Sequence, residues 1–171
     1  ERYDLTLVTE SDGTPGAKMN ITGLLEPGDN ELYVGRSPSL RSIRMGGSSF
    51  DNNDEAVKYT MPKLVLRREG TNLQSTFATV MEPYQGAQPR LEVIERLEPT
   101  AGPPGAAVVK VIYGDTTDIL LSNPNHPDVP VEVEDVTMIG EMAFIRLIDG
   151  KVREMKLIGG TLLQKRDDSM T

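Results

Sequence analysis

Met142 to Thr161 reads MAFIRLIDGKVREMKLIGGT, and this stretch decides the fold. Two short apolar runs, Met142 to Ile148 and Val152 to Ile158, flank Asp149-Gly150. Asp-Gly between strand-like runs is a strong hairpin signal, because a type I′ turn needs positive φ at both central positions. Gly159-Gly160 then makes a second tight turn into Thr161 to Gln164.

Working outward, the same grammar recurs. Ala107 to Tyr113 is rich in β-branched residues and predicts a central strand. Gly114-Asp115 turns the chain into Thr117 to Leu121, and Val131 to Val133 and Thr137 to Ile139 extend the C-terminal third as an up-and-down meander. Nearer the start, Tyr3 to Val8 alternates, with Tyr3, Leu5 and Leu7 on one face, followed by a turn cluster at Ser11 to Gly16 and a strand from Met19 to Leu25. Leu32 and Val34 mark a short strand, and Ser42 to Met45 suggests another. Lys63 to Arg68 and Ser75 to Glu82 flank Glu69-Gly70-Thr71-Asn72 as a hairpin, and Arg90 to Leu97 places Leu91, Val93 and Leu97 inward. The count is about twelve to fourteen strands at roughly 8–12-residue spacing, which predicts an all-β fold, an antiparallel β-sandwich. One domain over residues 1–171 is expected, with a polar tail over about 166–171.

Bulk chemistry narrows function by exclusion. The formal net charge of −8 argues against binding nucleic acid through the overall field, so an anionic ligand needs a local basic cluster. There is no cysteine, which removes disulfides and thiolate metal sites. No run approaches the roughly 18 apolar residues of a membrane-spanning helix, so no membrane partner is expected.

Catalytic constellations are sparse. The single histidine, His126, sits between Asn125 and Pro127 in a Pro-bounded loop and would have to serve any Ser-His-Asp arrangement; a turn-capping role suits it better, with ligand contact as the alternative. Asp51, Asn53 and Asp54 lie in an oxygen-rich run that could suit Ca²⁺, but the spacing is not that of an EF-hand, so no cofactor is assigned and the bland reading is a solvated loop. Arg36, Arg41 and Arg44 form one basic group and Lys63, Arg67 and Arg68 a second. Their guanidinium groups suit carboxylate and sulfate on acidic sugars; pairing with neighbouring acids is the competing role. Without Trp, the platforms left for a sugar ring are Tyr59 and Tyr84, while Tyr3, Tyr33 and Tyr113 read as packing residues with a bonded hydroxyl.

Lys63 to Gly70 (KLVLRREG), Phe77 to Tyr84 (FATVMEPY), Phe144 to Gly150 and Leu157 to Thr161 together resemble the C-terminal β-sandwich region of heparinase II/III-like polysaccharide lyases. The resemblance spans roughly residues 55–165. It implies a sandwich fold, a secreted or periplasmic setting, a helical catalytic partner domain and an acidic polysaccharide as polymer. No catalytic residue carries over, because His126 fits no motif of that family. The expectation is therefore a module with no catalysis of its own. Its first reading is a carbohydrate-binding module contacting acidic polysaccharide through Arg36, Arg41, Arg44, Tyr59, Arg67, Tyr84 and His126. The alternative is a structural sandwich that packs against the catalytic domain and binds no sugar.

Overall fold

A computed structural model describes residues 1–11, 14–38, 60–165 and 168–170, with side chains described outside 9–15 and 168–170. They form fourteen strands and no helix: β1 (Arg2–Ser11), β2 (Thr14–Leu24), β3 (Asn30–Pro38), β4 (Thr60–Arg68), β5 (Ala78–Tyr84), β6 (Val93–Leu97), β7 (Ala107–Tyr113), β8 (Thr116–Ser122), β9 (Val131–Val133), β10 (Val136–Ile139), β11 (Met142–Ile148), β12 (Lys151–Ile158), β13 (Leu162–Lys165) and β14 (Asp168–Met170). All pairings are antiparallel, and the fold is the expected all-β sandwich. Two compact units result, Glu1–Pro27 with Gln74–Thr171, and Gly28–Leu73.

The larger unit has three sheets. The central one runs β12-β11-β8-β7-β6, a second runs β14-β13-β10-β9, and a third runs β1-β2-β5. One face of the central sheet offers Val108, Ile119, Leu121, Ala143, Ile145 and Leu147 to Val131, Val133, Val136, Met138 and Leu163 of the second sheet. This is the main core, and Val108, Met138, Ile145 and Leu163 are fully buried in it. The opposite face is covered on its β6–β7 side, where Ile94 and Val111 meet Leu24 of β2 and Ala78 and Val80 of β5. Arg2 adds a hydrogen bond from its guanidinium to the Ile94 carbonyl at 3.1 Å. β7 is therefore buried on both sides, which is why its sequence reads as an unbroken apolar run rather than an alternation.

The turns behave as their residues require. Asp149 and Gly150 both have positive φ, 51° and 71°, and close the β11–β12 hairpin. Tyr3 lies across Gly23, its register partner in β2, whose bare Cα leaves room for the ring.

Four sequence expectations are corrected. First, Glu69 to Asn72 does not close a hairpin between the strands on either side of it. β4 pairs with β3 and β5 pairs with β2, so these residues connect the ribbon of the smaller unit back to the larger one. Local turn chemistry at Gly70 and Asn72 is real, Asn72 having φ 54°, but long-range pairing chose the partners. Second, the C-terminal third is not a simple meander. β9, β10 and β13 lie in one sheet and β11 and β12 in another, so the chain changes sheets twice. The two crossings pass each other at Gly140 and Gly160: a Cβ on Gly160 would stand 2.3 Å from the Ile139 carbonyl oxygen and 2.5 Å from Gly140 Cα. The Thr161 N–H donates to Ile139 O (2.9 Å) and the Glu141 N–H to Ile158 O (3.1 Å), tying the crossings together. Third, β1 and β2 pair out to Ser11 and Thr14, so Ser11 and Thr14 to Gly16 belong to strands rather than to the expected turn. Fourth, in β6 Ile94 rather than Val93 is the buried side chain: Ile94 points into the second core, while Val93 points the other way and is exposed. Ser42 to Met45 lies outside the described residues.

Candidate functional site: the open face of the central sheet

The three-stranded sheet stops at β5, above the β7 side of the central sheet. Among the described residues no strand covers the outer face of β8, β11 and β12. Register places its side chains in rows that run across the strands. Val109, Leu120, Phe144 and Lys156 form one row, and Ala107, Ser122, Met142 and Ile158 form the next. Thr76, Phe77, Ala78, Thr79 and Val80 wall the near side. Together these residues line an apolar trough of about 360 Å³. Exposure there is high for apolar groups: Leu120 42%, Met142 48%, Phe77 51% and Ile158 57%. Single exposed apolar side chains are ordinary, but a contiguous set on one sheet face marks a contact surface.

The next row is polar and closed. Asp118 receives both arms of Arg146, at 2.8 and 2.7 Å, and the Tyr113 hydroxyl donates to it at 3.3 Å. The hydrogen bond to Asp118 holds the Arg146 guanidinium above its ordinary pKa, so it stays charged. That guanidinium lies 5.2 Å from the Phe144 ring centroid, and the Lys156 ammonium lies 5.9 Å from it on the neighbouring strand. Lys156 also pairs with Glu154 at 2.7 Å on a well-exposed surface, a weak tie.

A second, shallower depression lies at the end of β5. Ala17, Pro83, Tyr84, Gln85 and Arg90 line about 410 Å³ of open space. Lys18 stands 5.7 Å from the Tyr84 ring centroid and donates to the Gly86 carbonyl at 2.9 Å. The loop is clamped by Glu82, nearly buried, whose carboxylate accepts the backbone N–H of Arg90 (2.5 Å) and of Leu91 (3.2 Å). The Arg90 guanidinium has no acidic partner among the described residues.

The remaining sequence candidates scatter. Arg36 on β3 faces Pro62, while Arg67 on β4 faces Glu31. Alternation puts these two arginines on opposite faces of the ribbon, about 17 Å apart along it, so they do not form one cluster. Arg67 pairs with Glu31 at 3.4 Å and with Glu69. Tyr33 has the expected bonded hydroxyl, which donates to Glu31 at 2.7 Å, but its ring is half exposed and does not pack as expected. The His126 side chain is exposed, and its loop is held by backbone: its carbonyl accepts from the Asn123 amide (2.6 Å) and the Val129 N–H (3.0 Å). Arg41, Arg44 and Tyr59, and the cation candidates Asp51, Asn53 and Asp54, lie outside the described residues. Among the described residues no three His, Asp or Glu side chains converge to hold a metal ion.

Sequence reading missed Leu120, Phe144, Met142 and Ile158 as surface residues. The signal was present: Ile119-Leu120-Leu121 and Ala143-Phe144-Ile145 put apolar groups on both strand faces, as a strand covered on both sides requires. No family model, curated protein or solved structure matches the chain.

Proposed function

We propose that this chain is the non-catalytic β-sandwich module of a polysaccharide-degrading enzyme, and that it packs against a catalytic domain through the open half of its central sheet. The observation that carries the reading is the contiguous apolar trough of Phe77, Leu120, Met142, Phe144 and Ile158, which water covers poorly. The sequence resemblance to the sandwich region of heparinase II/III-like lyases supplies the kind of enzyme and the acidic polymer, and a secreted or periplasmic setting goes with it. The test is to read the encoding gene and its neighbours for a helical catalytic domain and to co-express the two. Co-purification that Ile158→Lys abolishes is the expected result. A catalytic domain that binds the Ile158→Lys variant unchanged, or the lack of any such domain, would overturn it.

A second reading is favoured by the Tyr84 depression. Its aromatic ring, with Lys18 and Arg90 beside it, offers an acidic sugar a ring contact and two cations in a chain that is otherwise strongly negative. Affinity electrophoresis against alginate, chondroitin and a neutral glucan tests it. Retardation by the acidic polymers, weakened by Tyr84→Ala and Arg90→Ala, is expected, and free migration on every polymer counts against it.

A further inference from the structure

The trough has a wall with hydrogen-bonding capacity. β5 is the last strand of its sheet, so one side of its backbone has no strand partner among the described residues. Pro83 lies on this strand opposite Met19. Proline has no N–H, and it is tolerated in a sheet where its nitrogen faces an unpaired edge. The two-residue alternation of an antiparallel pair then turns the backbone groups of Thr79 and Met81 to the same outward side. The side chains of Ala78 and Val80 point down onto the second core, so the free edge runs alongside the trough at the level where a neighbouring strand would lie.

The layers do not match in width. The central sheet has five strands and the sheet above it three. At about 4.8 Å per strand, the open half has room for a further strand beside β5, lying over Leu120 and Phe144. A strand placed there would pair its backbone with Thr79 and Met81 and set every second side chain into the apolar rows. Lys156 closes the far end of the Phe144 row, near the Phe144 ring and with a weak, exposed tie to Glu154, and favours an acidic residue on the incoming strand.

We propose that the trough is filled by strand addition: an extended polypeptide segment of the partner, alternating in apolar side chains and carrying a carboxylate near Lys156, pairs with the β5 edge and completes the outer sheet. This rests on the packing reading and specifies its geometry. Main-chain pairing gives the affinity in such a contact and the side-chain pockets give the selectivity.

The test uses the whole chain and a synthetic decapeptide of alternating valine and threonine with one central glutamate, followed by NMR. Binding is expected to slow amide exchange at Thr79 and Met81 at least tenfold and to shift the resonances of Phe77 and Phe144. Met81→Pro, which removes an outward N–H from an edge strand, should abolish the effect with the fold retained in the spectrum. Lys156→Glu should reverse the preference in favour of a peptide with lysine in place of glutamate. Shifts at Phe144 without slowed exchange at Thr79 and Met81 would overturn strand addition and leave packing on the trough standing. No shift at either place, at millimolar peptide, would overturn strand addition; co-purification of the catalytic domain decides the packing reading separately.

Discussion

Replacing Glu82 should loosen the loop that frames Tyr84, and the structure sets the size of the effect. The Glu82 carboxylate is nearly buried and accepts two backbone N–H groups, from Arg90 at 2.5 Å and Leu91 at 3.2 Å. Hydrogen bonds to a charged acceptor contribute about 1.5–3 kcal/mol each. Arg90 is exposed, so its N–H regains water once the clamp is gone, which puts Glu82→Ala at about 2–4 kcal/mol rather than the full sum. For a chain of this length each kcal/mol lowers Tm by about 2–4 °C, so a fall of about 4–16 °C is expected by circular dichroism. Glu82→Gln keeps one carbonyl acceptor but turns an N–H₂ toward the same donors, and should lose about half as much. The loop also carries Arg90 to Tyr84, so both variants should weaken any retardation by acidic glycans more than Arg36→Ala does. If Glu82→Ala and Glu82→Gln both melt within 1 °C of the parent, the clamp does not hold the loop and the reasoning fails.

Other perturbations address the core, the crossing and the acid limb. Met138→Ala, at a fully buried position between the two main sheets, should cost about 2–5 kcal/mol in urea unfolding; a loss below 1 kcal/mol would mean the core collapses around the gap. Gly160→Ala should destabilise by about 1–3 kcal/mol or more, because its new methyl meets backbone at Ile139 and Gly140 rather than a side chain that can turn away; a variant as stable as the parent would show the crossing to be slack. The Arg2 guanidinium, by its hydrogen bonds, holds the Asp4 carboxyl below its ordinary pKa, with the Thr22 hydroxyl donating to it at 2.6 Å. A depressed carboxyl stabilises the fold above the unfolded value of about 3.9 and loses that contribution as pH falls through the folded one. Asp4→Asn should therefore flatten the acid limb of the stability profile below about pH 4 and leave its alkaline limb unchanged, as followed by Tm against pH; an unaltered acid limb would rule out this pair as a contributor.

How much of this was legible in the residues depends on whether a feature is local. The Asp149-Gly150 turn was readable because positive φ at two successive positions is a requirement of the turn itself, and the β-branched run of β7 was readable because a strand buried on both faces has no polar alternation to show. Pairing was not readable. Gly70 and Asn72 carry proper turn chemistry, yet β4 and β5 separate, since the choice between a local and a distant partner is made by how many apolar side chains each sheet buries, and Ala78 and Val80 gain a second core only beside β2. The double crossing at Gly140 and Gly160 was invisible for the same reason: each glycine reads as a turn residue, and only their mutual approach requires the missing side chains.

The candidate site divides along the same line. Lys63, Arg67 and Arg68 were grouped by proximity in sequence, but consecutive residues on a strand take opposite faces, so Arg67 and Arg68 of β4 point apart. Arg67 turned to Glu31 on one face of the ribbon while Arg36 took the other. The trough needs side chains from β5, β7, β8, β11 and β12 together with the end of one sheet above another, and no single segment encodes that step. What the sequence did carry was an excess: Leu120, Phe144 and Ile158 are apolar at positions where a two-layer sandwich would place polar residues facing water. Three layers explain that excess over β6 and β7 but leave it unexplained over β8, β11 and β12. An outer layer that ends at β5 while the apolar rows continue beneath it is the physical argument for a strand that belongs there.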